Sequence, residues 1–192
     1  MSYKEDFIAI YKQEIRREGG DALLEYLKKS DFFTAPASTR FHLAEEGGLC
    51  AHSLNVYYRL KELVANEAKP WAENVSDETV AICGLLHDVC KTGTYKVDYK
   101  NQKQPDGSWA QVPYYTIEEV LPYGHGEKSV YIINGFMRLT REEAMAINWH
   151  MGGFDERNSK GGKVMAAAYE KFPLCVLVHA ADLMASYLDE LR

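Results

Sequence analysis

Four side chains invite a chemical reading: His52, the pair His87-Asp88, and Asp182. A His-Asp dipeptide is weak evidence alone, since composition gives about 0.3 such pairs by chance. Its setting makes it stronger. Val80–Leu86 is apolar on nearly every side, and this segment delivers His87 and Asp88 at its far end, just ahead of Lys91. Neighbouring helical residues point about 100° apart, so both groups meet one ion only at a helix end. His52 on the preceding helix offers a third donor. Asp182, in the apolar run LVHAADLMAS, offers a fourth, because a lone aspartate there pays a large desolvation cost unless paired or metal-bound. Two imidazoles with two carboxylates suit Mn²⁺, Fe²⁺, Co²⁺, Ni²⁺ or Mg²⁺ with open positions, more than a closed structural zinc site.

The elements that must position these groups are mostly helices. Phe7, Tyr11 and Ile15 share a face, and Gly19-Gly20 stops that helix. Asp21 is read as the cap of a short second helix carrying Leu23, Leu24 and Leu27. Residues 31–48 lack a period and read as a structured loop. A long helix at about 49–68 is closed by Pro70. Ser76 caps the apolar helix. The period then changes to two, predicting a β-hairpin over about 94–116 with Pro105-Asp106-Gly107 as its turn. Helices are expected at 126–138, at 141–151 with Thr140 and Glu143 as a capping box, at 163–171, and from Pro173 to about Leu191. A glycine-rich loop is expected at 152–162. The fold class is therefore all-α with a small inserted hairpin.

The 192 residues predict one domain. Residues 1–30 form N-terminal helices packed on a core at 40–188. Hydrophobic and charged fractions of 46% and 26% exclude a disordered tail, a fibrous repeat and a membrane protein. A net charge of −6 excludes a globally basic nucleic-acid coat. The N-terminus has no apolar segment of a signal peptide, and Cys50, Cys83, Cys90 and Cys175 form no CxxC pair. They read as buried reduced thiols in a cytoplasmic protein.

The fragments FHLAEEGGLCAHSLNV, LLHDVCKTGTY, YGHGEKSV, NWHMGG and VHAADLMASYL, in this order, resemble the HD-domain superfamily of metal-dependent phosphohydrolases. They are similar to the HD module of bacterial 3′–5′ exoribonucleases of the YhaM type and to stand-alone HD hydrolases of bacteria and phages. The resemblance spans about Arg40–Leu188. It implies a helical bundle with His52, His87, Asp88 and Asp182 as ligands of one divalent ion. It further implies that His125 and His150 join a second ion bridged by Asp88. The chain departs from the pattern where relatives often read His-His-Gly, since it has His150-Met151-Gly152, and where Cys90 replaces a usual glycine.

The implied activity is hydrolysis of a phosphoester of a nucleotide or small nucleic-acid end by a metal-activated water. Asp88, Lys91, His125 and His150 are the expected catalytic set, with Lys91 facing developing negative charge and a histidine moving protons. Lys91, Arg40 and His42 are the expected substrate-binding groups. His179, three residues before Asp182, reads as a hydrogen-bonded neighbour of the site. Two other readings stand beside this one: a nucleoside 5′-monophosphate phosphatase, and a non-catalytic HD module that binds nucleotide or metal. The expected partner is a phosphorylated small molecule or nucleotide, with short single-stranded nucleic acid as a further candidate and no membrane; the oligomeric state is left open. Tyr95, Tyr99, Trp109, Tyr114 and Tyr115, with Lys96, Lys100 and Lys103, either stack on a single strand or pack across the hairpin.

Overall fold

The computed structural model describes residues 2–157 and 162–190. Among these lie eight α-helices and one two-stranded antiparallel sheet. Helix α1 (Tyr3–Glu14) opens with a capping box in which Ser2 and Glu5 exchange hydrogen bonds, and it buries Phe7 and Tyr11. Before α2 (Gly20–Lys29) stands Gly19, and Asp21 lies inside the first turn. The expected aspartate cap is thus replaced by Gly19, whose left-handed backbone (φ +87°) packs against Phe136, where a Cβ would lie 1.9 Å from the carbonyl oxygen.

Helix α3 (Gly48–Asn66) is the central pillar, with α4 (Asp77–Leu86), α1 and α8 (Leu174–Met184) packed on it. It ends at Asn66, four residues before Pro70, with Glu67 as its C-cap. Ser76 caps α4 as expected, its Oγ accepting from the Thr79 N–H at 3.1 Å. Strands β1 (Tyr95–Lys103) and β2 (Trp109–Ile117) form the hairpin, in a register that sets Tyr95 opposite Ile117 and Lys103 opposite Trp109. Helix α5 (His125–Asn134) is shorter than the expected 126–138, because Asn134 Oδ1 takes the Leu139 N–H and turns the chain. Helix α6 (Arg141–Asn148) carries the expected Thr140–Glu143 box but stops before 151. There the His150 and Arg157 side chains take up its last carbonyls, Ile147 O and Asn148 O.

Residues Gly152–Phe154 form one 3₁₀ turn, while residues 158–161 of the expected glycine-rich loop lie outside the described residues. Helix α7 (Lys163–Lys171) leads to α8, which continues into a π-helical turn at Ala185–Asp189. Leu191, the expected end of this helix, also lies outside the described residues. The core gathers Phe7, Phe32, Leu60, Leu86, Ile133 and Leu174, and burying each such side chain contributes about 1.5–3 kcal/mol. Among the described residues no single helix is long and apolar enough to cross a membrane. The four cysteines are free and buried.

Candidate metal centre

Polar side chains from α3, the end of α4, α5, the end of α6 and α8 meet in one corner of the bundle. The closeness of α3 and α4 depends on Gly84. A Cβ there would lie 2.5 Å from Tyr57 Cα, so only glycine lets the helices approach this far. The result is that His52 Nε2 and His87 Nε2 stand 3.2 Å apart. Asp182 Oδ1 lies 3.2 Å from His52 Nε2, and Asp88 Oδ2 lies 3.5 Å from both rings. All four residues proposed as first-ion ligands are thereby brought together.

The orientation of each ring is set from behind. His87 Nδ1–H donates to Gly84 O at 2.9 Å, and His150 Nδ1–H donates to Ile147 O at 2.7 Å. His52 Nδ1–H donates to the Glu190 carboxylate at 3.1 Å, and Asn55 Nδ2 holds that carboxylate at 2.9 Å. Carbonyls only accept, so the His87 and His150 rings, when neutral, leave Nε2 as a bare lone pair directed inward. His52 lies between acceptors on both sides, Glu190 behind and Asp182 in front, with His87 Nε2 at 3.2 Å, so positive charge must sit on His52 or between the two rings. His150 Nε2 has the same requirement: it is buried, lacks a hydrogen-bond partner, and sits 3.4 Å from Asp88 Oδ1.

These residues fit a divalent cation. An ion with bonds of about 2.0–2.2 Å to N and O at tetrahedral angles keeps its donors about 3.3–3.6 Å apart; His52 Nε2 lies 3.2–3.5 Å from the facing atoms of His87, Asp88 and Asp182, and His87 Nε2 lies 3.5 Å from Asp88. Asp88 also faces two ways. Its Oδ2 looks toward His52 and His87, while its Oδ1 takes a 2.7 Å hydrogen bond from His125 Nε2 and faces His150.

The electrostatics agree. Burial opposes a charged His52, yet Asp182 and Glu190 hold it up to about 9. Burial, helped by the neighbouring His150, outweighs Asp88 to carry both His87 and His125 down. Against burial, Asp88 raises His150. Asp88 stays far below the ordinary carboxylate range despite its burial, because Lys91 and His87 lie beside it. Burial and the neighbouring Asp88 push the Cys90 thiol up to about 12.

Lys91 Nζ sits 2.6 Å from Asp88 Oδ2, so its charge first serves that carboxylate. His42 stacks on His52 with ring centroids 4.9 Å apart, and burial with the His52 charge takes it down to about 4. Arg40 is not drawn in: it is exposed, with its guanidinium over the Phe41 ring. His179 Nδ1–H donates to His150 O at 2.6 Å and fixes the segment that carries His150. Gly152, at φ +54°, leaves room for that ring, since a Cβ there would lie 2.4 Å from it. Beside the corner opens a cleft of about 570 Å³, bordered by Lys91, Tyr95, Tyr123, His125, Lys128 and Arg157, a size suited to a small-molecule ligand.

Sequence reasoning missed Glu190 and Asn55, the supports of His52; the one available signal was that Asn55, three residues after His52, shares its helical face.

No curated protein and no solved structure matches the chain. A family model described as HD domain matches residues 49–185, more than half of the sequence and the stretch that contains the corner from His52 to Asp182. The chain therefore belongs to the HD domain family, whose superfamily is one of metal-dependent phosphohydrolases.

Proposed function

We propose that this protein hydrolyses a phosphoester of a nucleotide or of a small nucleic-acid end with the help of divalent ions. The observation that carries the reading is the convergence of His52, His87 and His150 Nε2, each ring anchored at its Nδ1, on Asp88 and Asp182 beside an open cleft. His52, His87, Asp88 and Asp182 would hold one ion; Asp88 Oδ1, His125 and His150 would hold a second. Bound there, such ions supply Lewis acidity to a water molecule and to the phosphoester oxygens.

The remaining work belongs to the chain. Lys91 keeps Asp88 anionic in a buried site. Glu190, Gly84 and Ile147 lock the three rings, so no reorganisation is needed when charge develops. His125, one-third exposed at the cleft, is the ring nearest an entering substrate. Its Nε2 proton, held on Asp88 Oδ1, is placed to serve a leaving oxygen; were a second ion held, the ring would be one of its ligands. Tyr95 and Tyr123 offer faces for a nucleoside, and Lys128 and Arg157 border the same cleft.

The test is phosphate release by the Mn²⁺-loaded protein from nucleoside mono- and triphosphates, cyclic dinucleotides and short RNA. Asp88→Ala should reduce turnover by about 10³-fold or more while far-ultraviolet circular dichroism is unchanged. Absence of turnover across the panel would favour a module that binds metal or nucleotide without hydrolysing it.

A further inference from the structure

We propose that Cys90 is a metal ligand: with Asp88 and His125 it gives the second half of the centre a thiolate donor, and with it a preference for soft divalent ions. The inference rests on the corner being a metal centre and deepens that reading.

Cys90 lies two residues after Asp88 on the 3₁₀ turn Val89–Lys91. Its N–H donates to Ser129 Oγ at 3.1 Å, which pins the turn to α5. Sγ is thereby placed 3.4 Å from His125 Nε2, and ligand atoms of Asp88, Cys90 and His125 all lie within 4.8 Å of one another. An ion with an N bond of about 2.0 Å and an S bond of about 2.3 Å at a tetrahedral angle holds those two atoms about 3.5 Å apart. The observed Sγ–Nε2 spacing matches that of two ligands on one ion; because Sγ also lies 3.6 Å from Nδ1, the ring must turn for Nε2 to point at the shared ion. A second, independent feature points to the same place. His150, 0% exposed, directs an unpartnered Nε2 at Asp88 Oδ1, the oxygen that His125 also contacts. Cys50, Cys83 and Cys175 are buried too, but they belong to the apolar core cluster, whereas Cys90 stands outside it.

On binding, the Cys90 thiol gives its proton to solvent and sulfur coordinates as thiolate. The His125 proton now on Nε2 moves by way of solvent to Nδ1, so one proton is released per ion. A site with O, N and S donors ranks Zn²⁺, Cd²⁺ and Co²⁺ well above Mg²⁺.

The experiment loads the wild-type protein and Cys90→Ser with Co²⁺, records the near-ultraviolet thiolate-to-cobalt charge-transfer absorption, and counts bound cobalt by elemental analysis. Cd²⁺ and Mg²⁺ affinities follow by calorimetry. The wild type should show the band. Cys90→Ser should lose it, keep the first ion, and bind the second Cd²⁺ at least about tenfold more weakly, with Mg²⁺ affinity unchanged. If the serine variant does not fold, Cys90→Gly supplies the same comparison. Cobalt bound without the band, or a variant that retains band and Cd²⁺ affinity, overturns the thiolate and leaves the metal centre standing. A wild-type protein that binds neither Co²⁺ nor Cd²⁺ overturns both.

Discussion

The histidine corner and the hairpin are both dense in chemically suggestive side chains, and they are built in opposite ways. In the corner three rings are held from behind: His87 by Gly84 O, His150 by Ile147 O, and His52 by Glu190. In the hairpin the register lines Tyr95, Val97 and Tyr99 up with Ile117, Tyr115 and Pro113 on one face. Yet Val97, Tyr99, Trp109 and Ile117 are all more than half exposed. Only the base is anchored, where Tyr95 OH donates to Ala37 O at 3.2 Å and its ring meets Tyr115. Packing across the strands therefore accounts for Tyr95 and Tyr115 and leaves Tyr99 and Trp109 open to solvent. Fixity comes from buried acceptors behind a side chain, not from aromatic content. Substitutions behind the rings should be costly, and those along the outer hairpin nearly silent.

The sharpest way to break this contrast is Gly84→Ala. The added methyl meets Tyr57 Cα at 2.5 Å and Tyr57 Cβ at 3.0 Å, and backbone cannot swing aside as a side chain can. Helices α3 and α4 must part, at a cost of about 1–3 kcal/mol, and the 3.2 Å His52–His87 approach is lost with them. Urea unfolding should show the midpoint fall, and Co²⁺ titration should show weakened binding. A variant as stable as wild type with full cobalt affinity would mean that the corner does not depend on this close approach.

That dependence also explains what the sequence could and could not reveal. His52, His87, Asp88 and Asp182 stand out because polar groups in apolar helices are expensive to bury. The hairpin was legible for a similar reason, since a period of two interrupts the helical pattern. Gly84 carries no such mark: its role lies in a helix-helix distance and in a carbonyl direction. Cys90 read as one more buried thiol, because nothing in its neighbours announces that a 3₁₀ turn brings it to His125. Glu190 was hidden by the end of α8. A regular helix continued from Asp182 places Glu190 well off that residue's face. The π turn at Ala185–Asp189, closed by the Glu190 N–H on Ala185 O at 3.1 Å, advances each residue through a smaller angle and swings the carboxylate back toward His52.

Glu190→Gln isolates that support. The amide oxygen still accepts from His52 Nδ1, but the negative charge that favours the ring as a donor to a cation is gone. Metal affinity should fall by about 10–100-fold. Calorimetric titration with Mn²⁺ is the measurement, and unchanged affinity would show that His52 needs no carboxylate behind it.

The smallest effect is expected at the outer end of the hairpin, and it bears on the comparison most directly. Trp109 is 70% exposed and lies opposite Lys103, whereas Tyr95, at the base of the same sheet, is half-buried against the core. Trp109→Ala should shift stability by no more than about 0.5 kcal/mol and leave metal affinity untouched. Tyr95→Ala removes both the bond to Ala37 O and the packing beneath it, and should cost several times more. Paired thermal melts separate the outcomes. If the two variants melt alike, the hairpin unfolds as one piece with the bundle, and its outer aromatics are held by the core after all. If Trp109→Ala is silent in stability but alters turnover on RNA and not on mononucleotides, those side chains are surface for a substrate strand, and the corner and the hairpin divide chemistry from recognition.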